Sequence, residues 1–179
     1  MAAGLLFLAL AYLAVGQAAV NRSGAQSAAD AAALAAAQNR RDQLAGQWVE
    51  SLKDLTKWTD IFRGRADVTP SCWRADQLAA QNDAQLQNCD ESQLLEITVE
   101  VRTNKPIGSS VVPGVSDRRS TESATAVIEP LCDFVEPTED AEPPSLPKLT
   151  CDGKSWSLDP SDTVHLPHPE DLFDVHLSE

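Results

Sequence analysis

The residues with the most definite chemistry in this sequence are four cysteines, Cys72, Cys89, Cys132 and Cys151, separated by 17, 43 and 19 residues. They form no C-x-x-C pair and have no histidine beside them, so zinc-ligand spacing is absent. An even number of cysteines behind an export-type N-terminus predicts two disulfides, formed in an oxidising compartment. Because a short loop costs less entropy to close, we predict Cys72–Cys89 and Cys132–Cys151 from the three connectivities.

The histidines lie near the end of the chain, among acids that are also metal ligands: His165, His168, His176, Asp162, Glu170, Asp171, Asp174 and Glu179. A proline, Pro167, separates the two closest imidazoles and breaks any helical face that they would share. We therefore favour a solvated acidic tail over a metal site, and we expect no metal and no cofactor. A weak pH-sensitive contact is the remaining alternative for these histidines.

No group of residues predicts an active site. The serines lie outside any G-x-S-x-G elbow, and no glycine-rich loop suits a phosphate. Pairs of acids such as Asp171 and Asp174, or Glu139 and Asp140, lie in polar stretches where nothing would tune a carboxyl group for proton transfer. We expect a protein that is not an enzyme.

The chain is acidic, with a net charge of -13 over 179 residues, and the excess lies in its second half. Residues 1–89 carry eight acids and eight bases, whereas residues 90–179 carry nineteen acids and six bases. An acidic surface repels phosphate, which disfavours nucleic-acid binding and peripheral binding of the second half to anionic lipid headgroups. Aromatic residues are few, so we expect a small core built mostly from aliphatic side chains.

The N-terminal segment, residues 1–20, holds no charged side chain. As a helix it would be about 30 Å long, roughly the thickness of a bilayer core. The alternatives are a buried helix of a soluble protein and a signal peptide cleaved near Ala14-Val15-Gly16, but signal peptides usually begin with Lys or Arg. We favour a transmembrane or anchor helix with Leu5 to Val15 as its apolar part.

An alanine-rich stretch follows from Ala18 to Ala37, with Gly24 as its one helix breaker, so the helix should continue. Small residues recur there at intervals of three and four, a pattern that lets neighbouring helix backbones approach closely. A helix of high intrinsic propensity without any partner fits the residues equally well. The candidate helix-packing residues are Ala18, Ala25, Ala28, Ala29, Ala32 and Ala36.

With these two halves joined, the sequence resembles the TadE/TadG-type pseudopilin-like proteins of Tad (Flp) pilus assembly. The resembling segments are Gly4-Leu5-Leu6-Phe7-Leu8-Ala9-Leu10, residues 17–22 and residues 25–37. In the family an R-x-x-A-Q-x-A-A-D-A-A-A-L-A-A-A stretch follows the membrane helix, and residues 22–37 match it. The likeness covers about 40 of 179 residues.

The resemblance implies a component of the bacterial cell envelope whose helix packs against other pilin-like subunits or secretion-apparatus membrane proteins. Family members usually carry a short basic, glycine-ended stretch before the apolar run. This sequence shows none, so we assign no prepilin cleavage site.

A stripe of large apolar residues follows at intervals of four, four, three, three and four: Leu44, Trp48, Leu52, Leu55, Trp58 and Phe62. The spacing tracks one face of a helix, and we expect that face to pack against a sheet rather than to line a ligand groove. The helix should end at Arg63-Gly64-Arg65. A short polar helix is predicted from Trp73 to Gln87, between the first two cysteines.

Strand patterns begin after Cys89. Apolar and polar residues alternate over 95–102, and residues 124–128 form a second apolar run. Two short segments, 149–151 and 154–158, flank Asp152-Gly153 and predict a hairpin. We expect three or four strands, a long loop over 106–121, and a solvated excursion over 136–147, which holds four prolines and four acids.

The predicted fold is α+β, with a long N-terminal apolar-to-amphipathic helix, further helices and a small antiparallel sheet stapled by two disulfides, the order found in pilin-like proteins. The predicted units are an anchor helix (1–20), Ala-rich and Trp-containing helices (21–65), a disulfide-linked α+β domain (66–159) and an acidic tail (160–179). The favoured function is a non-enzymatic, pilin-like component of a Tad-type pilus or secretion assembly, single-pass in the cell membrane with its C-terminal domain extracytoplasmic. The alternative is a stand-alone secreted or membrane-tethered binding domain with an acidic extracytoplasmic surface.

Overall fold

A computed structural model describes residues 2–106, 118–135, 146–159 and 165–178. The helices in these ranges are α1 (Ala2–Glu50), α2 (Leu55–Phe62), α3 (Cys72–Gln81) and α4 (Pro169–Leu172). The strands are β1 (Ala84–Gln93), β2 (Glu96–Thr103), β3 (Thr121–Pro130), β4 (Cys132–Phe134), β5 (Leu149–Cys151), β6 (Lys154–Trp156) and β7 (Phe173–Leu177). They form two antiparallel sheets, a main sheet of order β1-β2-β3-β7 and a small sheet of order β4-β5-β6. The predicted α+β class and element order are confirmed.

Helix α1 is continuous over 49 residues, which corresponds to a length of about 74 Å. The predicted continuation of the N-terminal helix through the alanine-rich stretch is therefore confirmed. Gly16, Ala19 and Val20 are exposed, and Val20 has 74% of its surface free. Among the side chains of α1 that the structure describes, Asn21 is the first half-buried one and Ala25 the first buried one, so α1 enters the folded domain close to Asn21.

The main sheet covers the buried face of α1. Its inward-facing side chains alternate along the strands, as the period of two requires. They include Ile97, Val99 and Val101 on β2, and Ala124, Ala126 and Ile128 on β3. Helix α3 packs beside α1 and against β1. Because the facing side chains of α1 are mostly alanines, its backbone can lie close to the main sheet, and the core is a thin helix-on-sheet layer.

The small sheet contains the predicted hairpin. Asp152 and Gly153 have φ angles of 45° and 75°, the positive values that a type I′ turn needs at both central residues. Phe134, at the end of β4, lies with its ring centroid 5.2 Å from that of Trp58 and 6.3 Å from that of Phe62. These contacts hold the small sheet against α2.

The apolar stripe lies on two helices, so the prediction of one helix through Phe62 is wrong. Helix α1 ends at Glu50, the chain turns through residues 51–54, and α2 begins at Leu55. The stripe keeps its spacing across the turn because both helices face one core, in which the rings of Trp48 and Trp58 lie 5.2 Å apart. No glycine or proline marks the turn, so the period alone indicated a single helix.

The short polar helix predicted from Trp73 is present as α3, but its predicted extension to Gln87 is wrong, because α3 ends at Gln81 and residues 84–93 form β1. Strand β1 is an edge strand in which Ala84 is buried and Leu86 half-buried, while most of its other residues are polar and exposed, so its sequence carries little strand signal. The expected three or four strands become seven in the described residues.

The expectation of a solvated acidic tail fails for residues 165–178. Strand β7 pairs with β3 along the main sheet, and Phe173 lies directly opposite Pro130. Leu172 and Phe173 are fully buried. The acids of this segment face solvent, but its apolar residues complete the core.

Residues 107–117 of the predicted loop and 136–145 of the predicted excursion lie outside the described residues. Within the described parts of the chain, none of the helices is both long and apolar enough to cross a membrane.

Candidate interaction surfaces

Five of the six candidate helix-packing alanines lie in the chain's own core. Ala25, Ala28, Ala29, Ala32 and Ala36 each have an exposure of 0%, and the side chain of the sixth, Ala18, lies outside the described residues. In this fold the five have no surface left for a helix of another subunit. The small-residue face instead lets α1 approach the main sheet and α3 of the same chain.

Both predicted disulfides are confirmed. Cys72, the first residue of α3, is bonded to Cys89 on β1, with their Cα atoms 5.9 Å apart. Cys132 on β4 is bonded to Cys151, the residue directly opposite on β5. The first bond joins α3 to the edge strand β1, the second joins the neighbouring strands β4 and β5, and none of the four cysteines is free.

A buried charged cluster lies next to the first disulfide. Arg40 on α1 is only 2% exposed and forms an ion pair with Glu91 on β1. Its guanidinium also donates to Ser71 Oγ and to the carbonyl of Leu94, both at 3.4 Å. The Ser71 N–H donates to the same Glu91 carboxylate at 2.8 Å. A buried charge needs such partners, so the cluster pins α1 to α3 and β1.

Two acids and a histidine meet on the outer face of the main sheet. Glu129 on β3 lies opposite Asp174 on β7, and the potential ligand atoms of Glu129, Asp174 and His176 lie within 4.8 Å of one another. His176 Nδ1 is 3.0 Å from Asp174 Oδ2. All three side chains are exposed, so water competes with any ion and we assign no metal site. His168 instead donates its backbone N–H to Asp171 at 2.9 Å, at the start of α4.

The point where α1 enters the domain is fixed by hydrogen bonds to one end of the main sheet. Asn21 donates to the carbonyl of Pro106 at 3.0 Å and accepts from Thr103 Oγ1 at 3.2 Å. Arg22 Nε is 2.9 Å from Glu122 Oε1 on β3. The end of the β2–β3 pair is thus attached to the start of the buried part of α1.

Basic residues collect at this end of the main sheet, and we call them the basic end: Arg22, Arg102, Lys105, Arg118 and Arg119. Lys105 Nζ lies 2.8 Å from Asp83 Oδ2. The hydrogen bond that Lys105 donates to Asp83, and then the negative charge of Asp83, raise the pKa of Lys105.

The other arginines of the basic end are tied to the same place by the backbone. Ser120, which follows Arg119, accepts a hydrogen bond from the Thr103 N–H at 2.9 Å, and Arg102 pairs with Thr121 across the strands. Among the residues that the structure describes, Arg102, Arg118 and Arg119 are exposed and have no ion-pair partner.

Charge counted by halves of the chain did not reveal the basic end. Four of the six bases in residues 90–179 fall between positions 102 and 119. A count over a shorter window would have shown this local excess within an acidic region. The link to Arg22, which is eighty residues away from Arg102, depends on the fold.

Comparison with known proteins gives a match at the N-terminus. A family model described as Putative Flp pilus-assembly TadE/G-like matches residues 1–39. These are the residues on which the sequence resembles the family, so the recognised N-terminal likeness is confirmed. From Ala2 onward the match lies within α1, and it ends one residue before the buried Arg40. No curated protein and no solved structure matches the chain.

Proposed function

We propose that this chain is a membrane-anchored, pilin-like component of a Tad-type pilus or secretion assembly, without an enzymatic role. The observation that carries the proposal is the TadE/G-like match over residues 1–39, which associates the chain with pilus assembly and with the cell envelope. The confirmed element order, a long helix in front of a disulfide-linked sheet, supports it.

The proposed anchor is the uncharged segment up to Val20. Its length suits a bilayer, and in α1 it continues without a break into the helix that forms the core of the domain. Anchor and domain then share one rigid element rather than a flexible linker, so the position of the anchor would set that of the domain.

The proposed partner contacts lie in the same segment. Other pilin-like subunits or secretion-apparatus membrane proteins are the partners that the family match suggests. Because five of the candidate alanines are buried inside the chain, we assign helix–helix packing to residues 2–20, which include Ala18. Small and apolar side chains at three- and four-residue spacing suit packing between membrane helices.

The proposed location of the domain is extracytoplasmic. Both disulfides support it, because disulfides persist in oxidising compartments. The charge bias beside the anchor gives little guidance, since Arg22 is the one base within about 15 residues after Val20.

The second candidate is a stand-alone secreted or membrane-tethered binding domain. It is favoured by the extent of the family match, which ends at residue 39, while the remaining residues supply most of a core that the chain completes by itself. In that case the alanine-rich part of α1 is only the first helix of the domain.

The test uses the full chain with a C-terminal tag, expressed in cells that make a Tad apparatus, and a variant with Leu8→Arg and Leu10→Arg. Each charge placed inside a membrane helix disfavours insertion by about 3 kcal/mol. We expect wild type to remain with the membrane after a carbonate wash and to cross-link through a photoreactive group at Ala19 to pilin-like subunits. The double variant should lose both properties.

The matched control is Ser23→Arg, which adds a charge at an exposed position on the same helix just beyond the proposed anchor and should keep both properties. Mass spectrometry of the mature N-terminus separates the two candidates. A mature chain that begins at Gln17 or Ala18 would show signal cleavage, and the secreted binding domain would then be the remaining candidate. Wild-type protein that leaves the membrane with the wash would refute the anchor.

A further inference from the structure

We propose that the basic end is a docking surface for the anionic headgroup layer of a lipid bilayer, an inference that rests on the membrane anchor of the proposed function. The surface lies where the uncharged part of α1 leaves the domain, because Asn21 is hydrogen bonded to Thr103 and Pro106 there. A bilayer that held residues 2–20 would face this end of the main sheet.

The local charge is opposite to that of the whole chain. Among the described residues, two acids are paired with the five bases of this end, Asp83 with Lys105 and Glu122 with Arg22, and the sequence adds Asp117 beside Arg118. The chain as a whole carries a net charge of -13. The excess of positive charge therefore occurs at the end from which the proposed anchor emerges.

The side chains of the basic end suit phosphate. Arg102, Arg118 and Arg119 are exposed guanidinium groups without an ion-pair partner among the described residues. A guanidinium can donate two parallel hydrogen bonds to a phosphate, and no internal contact has to be broken first. The acidic remainder of the surface would be repelled by the same headgroups, so docking would hold the domain with this end towards the bilayer.

A second set of bases lies at the other end of α1 and serves as an internal comparison: Lys53, Lys57, Arg63 and Arg65, all exposed. Between Arg22 and Glu50 the helix rises about 42 Å. This distance is about five Debye lengths at physiological ionic strength, where the length is about 8 Å. Bases beyond Glu50 should not respond to a bilayer at the basic end.

The test is co-flotation of the purified full chain with phosphatidylcholine vesicles that contain, or lack, phosphatidylglycerol, at low and at high salt. The variant neutralises the four bases of the basic end that follow Arg22: Arg102→Gln, Lys105→Gln, Arg118→Gln and Arg119→Gln. Wild type should bind the anionic vesicles more tightly, by on the order of fivefold for each base that reaches the headgroups. High salt should remove the difference, and the variant should not show it.

The control variant neutralises the four bases at the other end and changes the net charge equally: Lys53→Gln, Lys57→Gln, Arg63→Gln and Arg65→Gln. It should keep the preference for anionic vesicles. The unfolding midpoints of both variants, compared with that of wild type, show whether the domain is intact. If the variant of the basic end does not fold, the double variant Arg118→Gln with Arg119→Gln replaces it and should remove part of the preference for anionic vesicles.

Equal binding of wild type to both kinds of vesicle, or an equal loss in the two variants, would overturn the docking surface while leaving the anchor in place. Failure of wild type to bind uncharged vesicles, with anionic binding retained, would instead count against the anchor and support the basic end.

Discussion

Arg40 and Glu91 join the middle of α1 to β1 through an ion pair in which the guanidinium is almost fully buried. The next residue on α1, Arg41, forms a similar pair with Asp42, but here the guanidinium is only half-buried and the carboxylate is exposed to solvent. The chain thus carries two arginine–carboxylate pairs whose arginines are adjacent in sequence, and the pair of Arg40 is the more deeply buried. Burial should make the first pair far more sensitive to the loss of its acid.

We expect Glu91→Ala to lower the free energy of unfolding by about 3 kcal/mol, because it leaves the Arg40 charge buried without its carboxylate. The same substitution also removes the acceptor of the Ser71 N–H. Asp42→Ala is the matched control and should change stability by less than about 1 kcal/mol. Urea unfolding with both disulfides intact measures the difference, and equal effects of the two substitutions would contradict the structural role of the buried pair.

The two core tryptophans should differ in their tolerance of phenylalanine. Trp58 donates its indole N–H to the Ser51 carbonyl at 3.1 Å, whereas the buried Trp48 Nε1 has no hydrogen-bond partner in the described structure. Removing an unpaired buried donor relieves a desolvation penalty, while removing a paired one leaves the carbonyl without its donor. We expect Trp58→Phe to be more destabilising than Trp48→Phe by about 1–2 kcal/mol.

Trp73 supplies the control for this comparison. It is 58% exposed on α3, so Trp73→Phe should leave the unfolding midpoint almost unchanged. Thermal unfolding of the three variants under the same conditions gives the ranking. A larger effect of Trp48→Phe than of Trp58→Phe would show that volume, rather than hydrogen bonding, decides the outcome at these positions.

The sequence predicts the parts of this fold that depend on local order. The disulfides follow because each joins cysteines fewer than twenty residues apart. The continuity of α1 through Ala37 follows from its alanine content, and β2 and the Asp152-Gly153 turn follow from period and turn chemistry. Each of these signals lies within a short window of the chain.

What the sequence did not predict depends on distant contacts. Strand β1 is polar along most of its length and is a strand because β2 pairs with it, and β7 joins a partner some fifty residues earlier in the chain. The burial of the alanines also depends on distant contacts. A stripe of small residues predicts that another element packs closely against the helix, but not whether that element belongs to the same chain. The basic end unites Arg22 with residues 102–119 only through the fold.

Strand β7 should be essential for stability although the sequence reads as an acidic tail. Phe173 is fully buried and its ring lies 5.4 Å from that of Phe62, so Phe173→Ala should lower the free energy of unfolding by about 3–5 kcal/mol. His176→Ala, on the exposed face of the same strand, should change it by less than about 0.5 kcal/mol. Denaturant unfolding of the two variants measures this difference. A negligible effect of Phe173→Ala would contradict the packing of β7 and support a solvated tail instead.

The alanine face of α1 packs either within its own chain or against another subunit, and two substitutions distinguish these alternatives. Ala29 and Ala32 have an exposure of 0% within the chain, so Ala29→Leu and Ala32→Leu should each overpack the core and lower stability by about 1–3 kcal/mol in the purified chain, without any partner present. Ala19→Leu enlarges an exposed side chain on the same helix and should leave the stability of the domain unchanged. If these alanines instead contacted another subunit, the two core variants would unfold like wild type and would lose only cross-linking to pilin-like partners. Unfolding measurements on the isolated chain, set beside cross-linking in cells, separate the two outcomes.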